Sequence, residues 1–248
     1  MRYFIELSYD GTSYCGWQRQ INGPSVQEEL EKAMTTILQQ PVEIVGSSRT
    51  DAGVHAEQQW AHFDVEEPLG DFRRLTHSLN LMLPQSIAIQ QIMAVKSSAH
   101  SRFDATHRCY EYRLITRKNP FLTHKAYVFR TSLNVEAMNE AATLLLQYND
   151  FECFSKTHTD VKTFLCDIKY AHWQSQNEML VFRIKANRFL RGMVRGIVGT
   201  LLQIGQGRLS KADFEFIIRS KNRKNAAAQA PAQGLFLTEV GYTEAIKA

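Results

Sequence analysis

The order in which two hydrophobic periods follow one another constrains this chain most. Apolar residues first alternate one in two, as on a strand, then recur every three or four, as on a helix, and the sequence repeats that order in its second half. Tyr3, Ile5 and Leu7 alternate with Phe4, Glu6 and Ser8 in a strand that ends at the Asp10-Gly11 turn signal. Gly23-Pro24 then interrupts the chain before Ser25, which forms a capping box with Glu28. A helix is expected from there to about Gln40, stopped by Pro41, with Val26, Leu30, Ala33, Met34, Ile37 and Leu38 on its buried stripe. Strand-like runs at 42–45 and 59–65 follow, then a helix at 71–83 ended by Pro84, and a strand through Ile87, Ile89 and Ile92.

From His107 the pattern restarts. Strands are expected at 109–116 and 126–131, a helix at 134–148, strands at about 163–175 and 179–186, a helix beginning at Phe189, another at 211–219, and a last strand at 235–242. The expected fold class is α+β: two α+β halves, 1–100 and 101–248, with no residue-level repeat between them. The stretch SKNRKNAAAQAPAQG (220–234) reads as a surface loop, because polar and small residues gather there before the last strand.

Composition sets outer limits. With 44% hydrophobic and 22% charged residues over 248 positions, the chain buries a sizeable core, and disorder is not the default. The net charge of +4 is compatible with a polyanionic partner without requiring one. Cys15, Cys109, Cys153 and Cys166 form no CxxC pair and have no histidine at finger spacing, so no structural metal is expected and the thiols suit a reducing compartment. No apolar run resembles a signal peptide or approaches the roughly 18 residues of a membrane span, so a cytoplasmic protein without membrane attachment is expected.

Three stretches carry chemistry. In GSSRTDAGVHA (46–56), Arg49 and Asp51 stand in a loop between two strand-like runs, where a plain polar turn would suffice. One reading makes Asp51 a turn residue bonded to nearby N–H groups, Gly53 the positive-φ position and Arg49 a solvated charge. The other makes Asp51 a nucleophile or acid–base group, kept ionised in a dry site by a cation. Arg49 is near in sequence, but it faces the same way only if the backbone stays regular.

The second stretch, NRFLRGMVRGIVGTLLQIG (187–205), offers a more distant cation. On a helix Arg188, Arg191 and Arg195 would share a stripe, with Gly192, Gly196 and Gly199 beside them. Each helical glycine costs about 1 kcal/mol relative to alanine. Close approach of another backbone would compensate; an exposed basic face with indifferent glycines is the alternative. In ATHRCYEYRL (105–114), Tyr110 and Tyr112 share one strand face, either as core residues or as a platform for an extruded base.

Taken together, YDGTSYCGWQRQ (9–20), SRTDAGVHA (48–56), RFDATHRCYEYRL (102–114), NDFECFSK (149–156), ANRFLRGMVRGIVG (186–199) and APAQGLFLTEVGY (230–242) resemble the tRNA pseudouridine synthase A family. They occur in the family's order and cover nearly the whole chain. The resemblance implies isomerisation of uridine to pseudouridine at positions 38, 39 and 40, in the anticodon stem-loop of tRNA. It implies a fold of two pseudo-symmetric halves around a central, mostly antiparallel sheet with flanking helices and a central active-site cleft. A homodimer is implied, with tRNA as partner and no cofactor or metal.

Residue by residue, Asp51 matches the family's essential aspartate, acting as nucleophile or on the sugar. Tyr110 matches the tyrosine that contacts the target base and accepts the C5 proton. Arg49 matches the arginine that fills the space of the flipped nucleotide, and Arg195 the cation expected to pair with Asp51. Arg188, Arg191 and Arg102 are expected to contact RNA. Where many relatives have Gly-Ala-Gly before the arginine, this chain has Gly46-Ser47-Ser48.

Rival readings fit less well. A non-catalytic RNA-binding protein needs no particular acid. An aspartic protease has Ser or Thr after its acid, where Ala52 stands here, and a retaining glycosidase needs a second carboxylate that Glu57 has no evident reason to supply. A small-molecule isomerase leaves the arginines of 188–195 unexplained.

Overall fold

A computed structural model describes residues 1–156 and 161–248. In chain order the strands are β1 (Arg2–Tyr9), β2 (Ile44–Gly46), β3 (His55–Asp64), β4 (Ile87–Ala94), β5 (His107–Ile115), β6 (Tyr127–Val128), β7 (Ile168–Gln176), β8 (Met179–Ala186) and β9 (Leu235–Gly241). The α-helices are α1 (Val26–Leu38), α2 (Phe72–Met82), α3 (Val135–Ala142), α4 (Met193–Gly205) and α5 (Lys211–Ser220). The fold is α+β with mostly antiparallel strand pairing, as expected. The residues gather into two compact units, Met1–His107 with Phe236–Ala248, and Arg108–Leu235.

In the first unit β1 is central, antiparallel to β3 on one side and β4 on the other. Flanked on both edges, it buries Tyr3, Phe4, Ile5 and Leu7 almost completely, so its two faces do not divide cleanly into apolar and polar. α1 starts where Ser25 accepts a hydrogen bond from the Glu28 N–H (3.2 Å), while the Glu28 carboxylate pairs with Lys32. It ends one residue before Gln39, which is left-handed at φ 54°. α2 is capped by Asp71, which accepts from the N–H groups of Arg73 and Arg74, and packs on α1 and β4.

The last strand returns to this unit. β3 is longer than β2, which covers only Phe63, His62 and Ala61 on that edge. β9 pairs in parallel with the uncovered start of β3, His55 with Phe236 and Ala56 with Leu237. Backbone groups there would otherwise lack partners. The division therefore differs from 1–100 and 101–248: the first unit runs to His107 and also takes Phe236–Ala248.

In the second unit β8 lies between β5 and β7, antiparallel to both, and β6 runs parallel to the end of β5. Burial on β5 alternates from His107 to Leu114, with Arg108, Tyr110, Tyr112 and Leu114 inside, and Ile115 at its end is buried too. Four expected elements are shorter than their patterns. The strand at 126–131 shrinks to Tyr127–Val128, and β7 begins at Ile168 rather than near 163. α3 stops at Ala142, with its last turn tightened to a 3-10 helix at Thr143–Leu146. The helix expected from Phe189 begins only at Met193. Phe151, Phe154, Trp173, Phe182 and Phe214 form the fully buried aromatic core of this unit, with α3 packed on α4, α5 and β7. Among the described residues no helix is long and apolar enough to cross a membrane.

Candidate active site

The loop that carries Arg49 and Asp51 is not a simple hairpin turn. It leaves β2 at Gly46 and rejoins β3 at His55, and the main chain between is fastened at nearly every residue. Ser47 N–H donates to the Trp60 carbonyl (2.7 Å) and its hydroxyl to Gln59 Oε1 (2.6 Å), while Gln59 Nε2 donates to the Ser48 carbonyl (2.8 Å). Gln59 thus ties the loop to β3 through the Ser47 hydroxyl and the Ser48 carbonyl. Gly46 itself admits no side chain, since a Cβ there would lie 2.5 Å from the Trp17 ring.

Beyond Arg49 the segment 9–17 closes over the loop. The Tyr9 hydroxyl lies 2.8 Å from the Thr50 hydroxyl, both buried, and the Trp17 N–H donates to the Thr50 carbonyl (3.2 Å). Gly53, at φ 76°, turns the chain so that the Val54 N–H reaches the Asp51 carbonyl (3.1 Å), and its own N–H donates to the Tyr14 carbonyl (3.3 Å). Gly16 sits at φ 102°, where an added Cβ would stand 2.3 Å from the Thr50 oxygen. The motifs YDGTSYCGW and SRTDAGVHA are therefore two sides of one contact, and the first exists to hold the second.

The result is an aspartate of fixed main chain and half-buried side chain. Thr50 points inward and Ala52 outward on either side of it. Arg49 is exposed and has no ion pair with Asp51 among the described residues. His55, completely buried, follows the loop; its Nδ1 accepts from the Gly11 N–H (3.1 Å) and its ring stacks on Phe236 at 4.5 Å. Residue-level reasoning assigned this histidine no role, although its place after the loop was the available signal. Arg102 lies elsewhere in the first unit, exposed, with its guanidinium 5.8 Å from the Phe103 ring.

The remaining expected site residues belong to the second unit. Arg188, Arg191 and Arg195 do not form a helical stripe: Gly192 takes φ 72° and caps α4, so Arg188 and Arg191 precede the helix and only Arg195 is on it. The left-handed backbone at Gly192 disfavours a side chain there, and a Cβ would also displace the end of the Gln229 side chain, whose Nε2 stands 2.0 Å from it. Gly199 does what a helical glycine was expected to do. A Cβ there would lie 2.0 Å from the Ala228 carbonyl oxygen, so the backbone of 226–231 runs directly along α4.

That strap was expected as a loose surface loop, yet it is bonded along its length. The Ala227 N–H donates to the Thr200 hydroxyl (3.2 Å), the Ala230 N–H to the Arg195 carbonyl (3.0 Å), and Arg195 Nε to the Ala230 carbonyl (2.7 Å). Arg195 is thereby held at both its main chain and its guanidinium. The Tyr112 hydroxyl donates to the next residue of the strap, at the Pro231 carbonyl (2.8 Å), and burial pushes its pKa above the ordinary phenol value. Tyr110, two residues back on the same face, is also buried and meets the Phe189 ring edge-on at 5.1 Å.

All four cysteines are free thiols, and burial pushes Cys153 up to about 12 and Cys166 to about 11, leaving both protonated at neutral pH.

The α+β fold with its clamped Arg-Thr-Asp loop is that of a chain in the tRNA pseudouridine synthase class of isomerases, as its sequence relatives show. The model of that family matches residues 7–104 and 141–243, and the chain belongs to it. The tRNA pseudouridine synthase A of Bacteroides fragilis is 51% identical over 247 residues, covering 99% of this chain and 98% of that protein. That of Parabacteroides distasonis is 49% identical over 243 residues, covering 98% and 96%, and that of Chlorobaculum tepidum 40% identical over 239 residues, covering 96% of each.

Proposed function

We propose that this isomerase converts uridine to pseudouridine at positions 38, 39 and 40 in the anticodon stem-loop of tRNA, acting in the cytoplasm as a homodimer and without a cofactor or metal. The N1–C1′ bond breaks, the base turns, and a C5–C1′ bond forms; C5 gives up a proton and N1 gains one, so atoms and electrons balance with no external reagent. The target base leaves its stack for a few kcal/mol, recovered from phosphate contacts.

Asp51 is the catalytic residue, as nucleophile. Arg195 is its cation and keeps it ionised, Tyr110 contacts the extruded base and takes the C5 proton, and Arg49 fills the space the nucleotide vacates. Arg188, Arg191 and Arg102 contact RNA phosphates. The observation that carries the reading is the immobilised main chain from Thr50 to Val54, inside the region matched by the family. A carboxylate that must meet one carbon atom needs such a support, because a displacement of about 1 Å costs on the order of a hundredfold in rate.

The test is to incubate the protein with unmodified tRNA transcripts and map pseudouridine by carbodiimide adduct stops in primer extension. Stops at 38, 39 and 40 are expected. Modification confined to other positions overturns the assignment of site, and no modification of any transcript overturns the function.

A further inference from the structure

Between β5 and α3 the chain makes an excursion whose charge is unlike that of the rest. Residues 116–134 contain Arg117, Lys118, Lys125 and Arg130, together with His124, and not one Asp or Glu. This stretch carries +4, as much as the net charge of all 248 residues. Among the described residues Glu178 pairs with Arg117.

The excursion is held in shape. β6, in its middle, is joined to the end of β5 by the parallel pairing of Leu114 with Tyr127 and Ile115 with Val128. Asn119 Oδ1 accepts from the Phe121 N–H (2.9 Å), the Lys125 N–H donates to the Leu122 carbonyl (2.9 Å), and His124 sits at φ 62°. Gln233 Nε2 donates to the Ala126 carbonyl (3.3 Å). The turn so fixed lifts Phe121 to 92% exposure. Alongside it lies a groove of about 590 Å³ bordered by Lys118, His124, Tyr127, Phe129 and Arg130.

We propose that this face binds RNA: the cations at 118 and 130 contact phosphates along the groove, and Phe121 stacks on a base or sugar at its edge. The inference rests on tRNA being the substrate and adds to that reading a contact surface outside the aspartate loop. Lys118 and Arg130 on one groove, in a stretch whose own sequence holds no acid, fit a polyanion. A phenylalanine held out in water by a capped turn is what unpaired or terminal nucleotides use as a stacking surface. Lys118 and Arg130 together with the Tyr127 and Phe129 rings on one groove favour nucleic acid over an apolar protein partner.

The test is filter binding of the full-length protein to an unmodified tRNA transcript across a salt series. It compares the wild type with Lys118→Gln/Arg130→Gln and with Phe121→Ala, with folding of each variant checked by thermal melting. The double variant is expected to bind about tenfold more weakly at low salt, with the slope of log K against log [salt] reduced by about 2, one for each lost phosphate contact. Phe121→Ala is expected to weaken binding several-fold with no change of slope. Unchanged affinity and slope in folded variants overturn the proposal. So does normal RNA binding with a loss of dimer by sedimentation, which would make the face a seat for a second copy of this chain. A wild type that neither binds nor modifies tRNA overturns the function itself, and is distinguished from the other results by needing no variant.

Discussion

The hydroxyl groups of Tyr9 and Thr50 lie 2.8 Å apart in a buried contact, one residue before the aspartate of the loop. Neither touches the reacting atoms in the proposed reaction. Together with the Trp17 N–H on the Thr50 carbonyl, they decide where the main chain of Asp51 stands. They are positioning residues.

Removing the Tyr9 hydroxyl tests this. Tyr9→Phe leaves the Thr50 hydroxyl without that partner, which costs about 1 kcal/mol of stability. A shift of a few tenths of an ångström at Asp51 is expected to lower kcat about tenfold while KM stays within about twofold. Thr50→Val should behave alike and Thr50→Ser should recover most of the activity. Steady-state tritium release from 5-labelled uridine in tRNA measures it. Equal losses in kcat for Ser and Val would show that packing, not the hydroxyl pair, matters.

Asp51→Ala and Asp51→Asn are expected to abolish tritium release and to leave tRNA affinity within about threefold, because the phosphate contacts are made elsewhere. Substantial release by either variant would remove the aspartate from the reaction. Filter binding on the same preparations separates chemistry from recognition.

Gly199→Ala drives a methyl group to within 2.0 Å of the Ala228 oxygen. The strap must move, and with it the carbonyl that anchors Arg195. A stability loss of about 2–3 kcal/mol in urea titration is expected, with activity falling further than stability explains. Gly70→Ala, at a position with nothing within 4 Å, is the control and should stay within about 0.5 kcal/mol of the wild type.

His62 gives the protein a pH-dependent stability. Its Nδ1 accepts from the Ser101 N–H (3.2 Å), and burial, helped by Arg2 and His100, pushes its pKa down to about 4. Below an unfolded value near 6.5 the unfolded chain binds a proton that the folded one refuses. Stability therefore falls as pH drops from about 6.5 towards 4, by up to about 2–3 kcal/mol. His62→Gln should flatten that part of the urea midpoint curve; an equally steep curve in the variant would assign the dependence to other groups.

Much of this was legible in the sequence, because local signals and tertiary demands agreed. Gly53 was expected at positive φ and is there; Ser25, Asp71 and Pro41 mark helix ends within a residue or two. The shortfall has one common cause. The pattern through Phe189, Arg191 and Gly192 fits a helix as well as that through Met193 and Val194, but periodicity does not record the left-handed turn at Gly192 (φ 72°), after which the helix starts. The strap looked like a loop because its residues are small and polar. Those same small residues let it lie against α4, where they meet Gly199. β9 carried no sign of its partner, since parallel pairing across a long connection leaves no turn motif to read.

The return of β9 to β3 also orders events on the ribosome. Residues 108–235 form an unbroken stretch and are free to collapse as they emerge, but the sheet beside the aspartate loop stays one strand short until 236–241 have been synthesised. The segment 9–17 that fastens the aspartate loop lies within the first 107 residues, so a chain that lacks β9 keeps those bonds and loses the parallel pairing at His55 and Ala56.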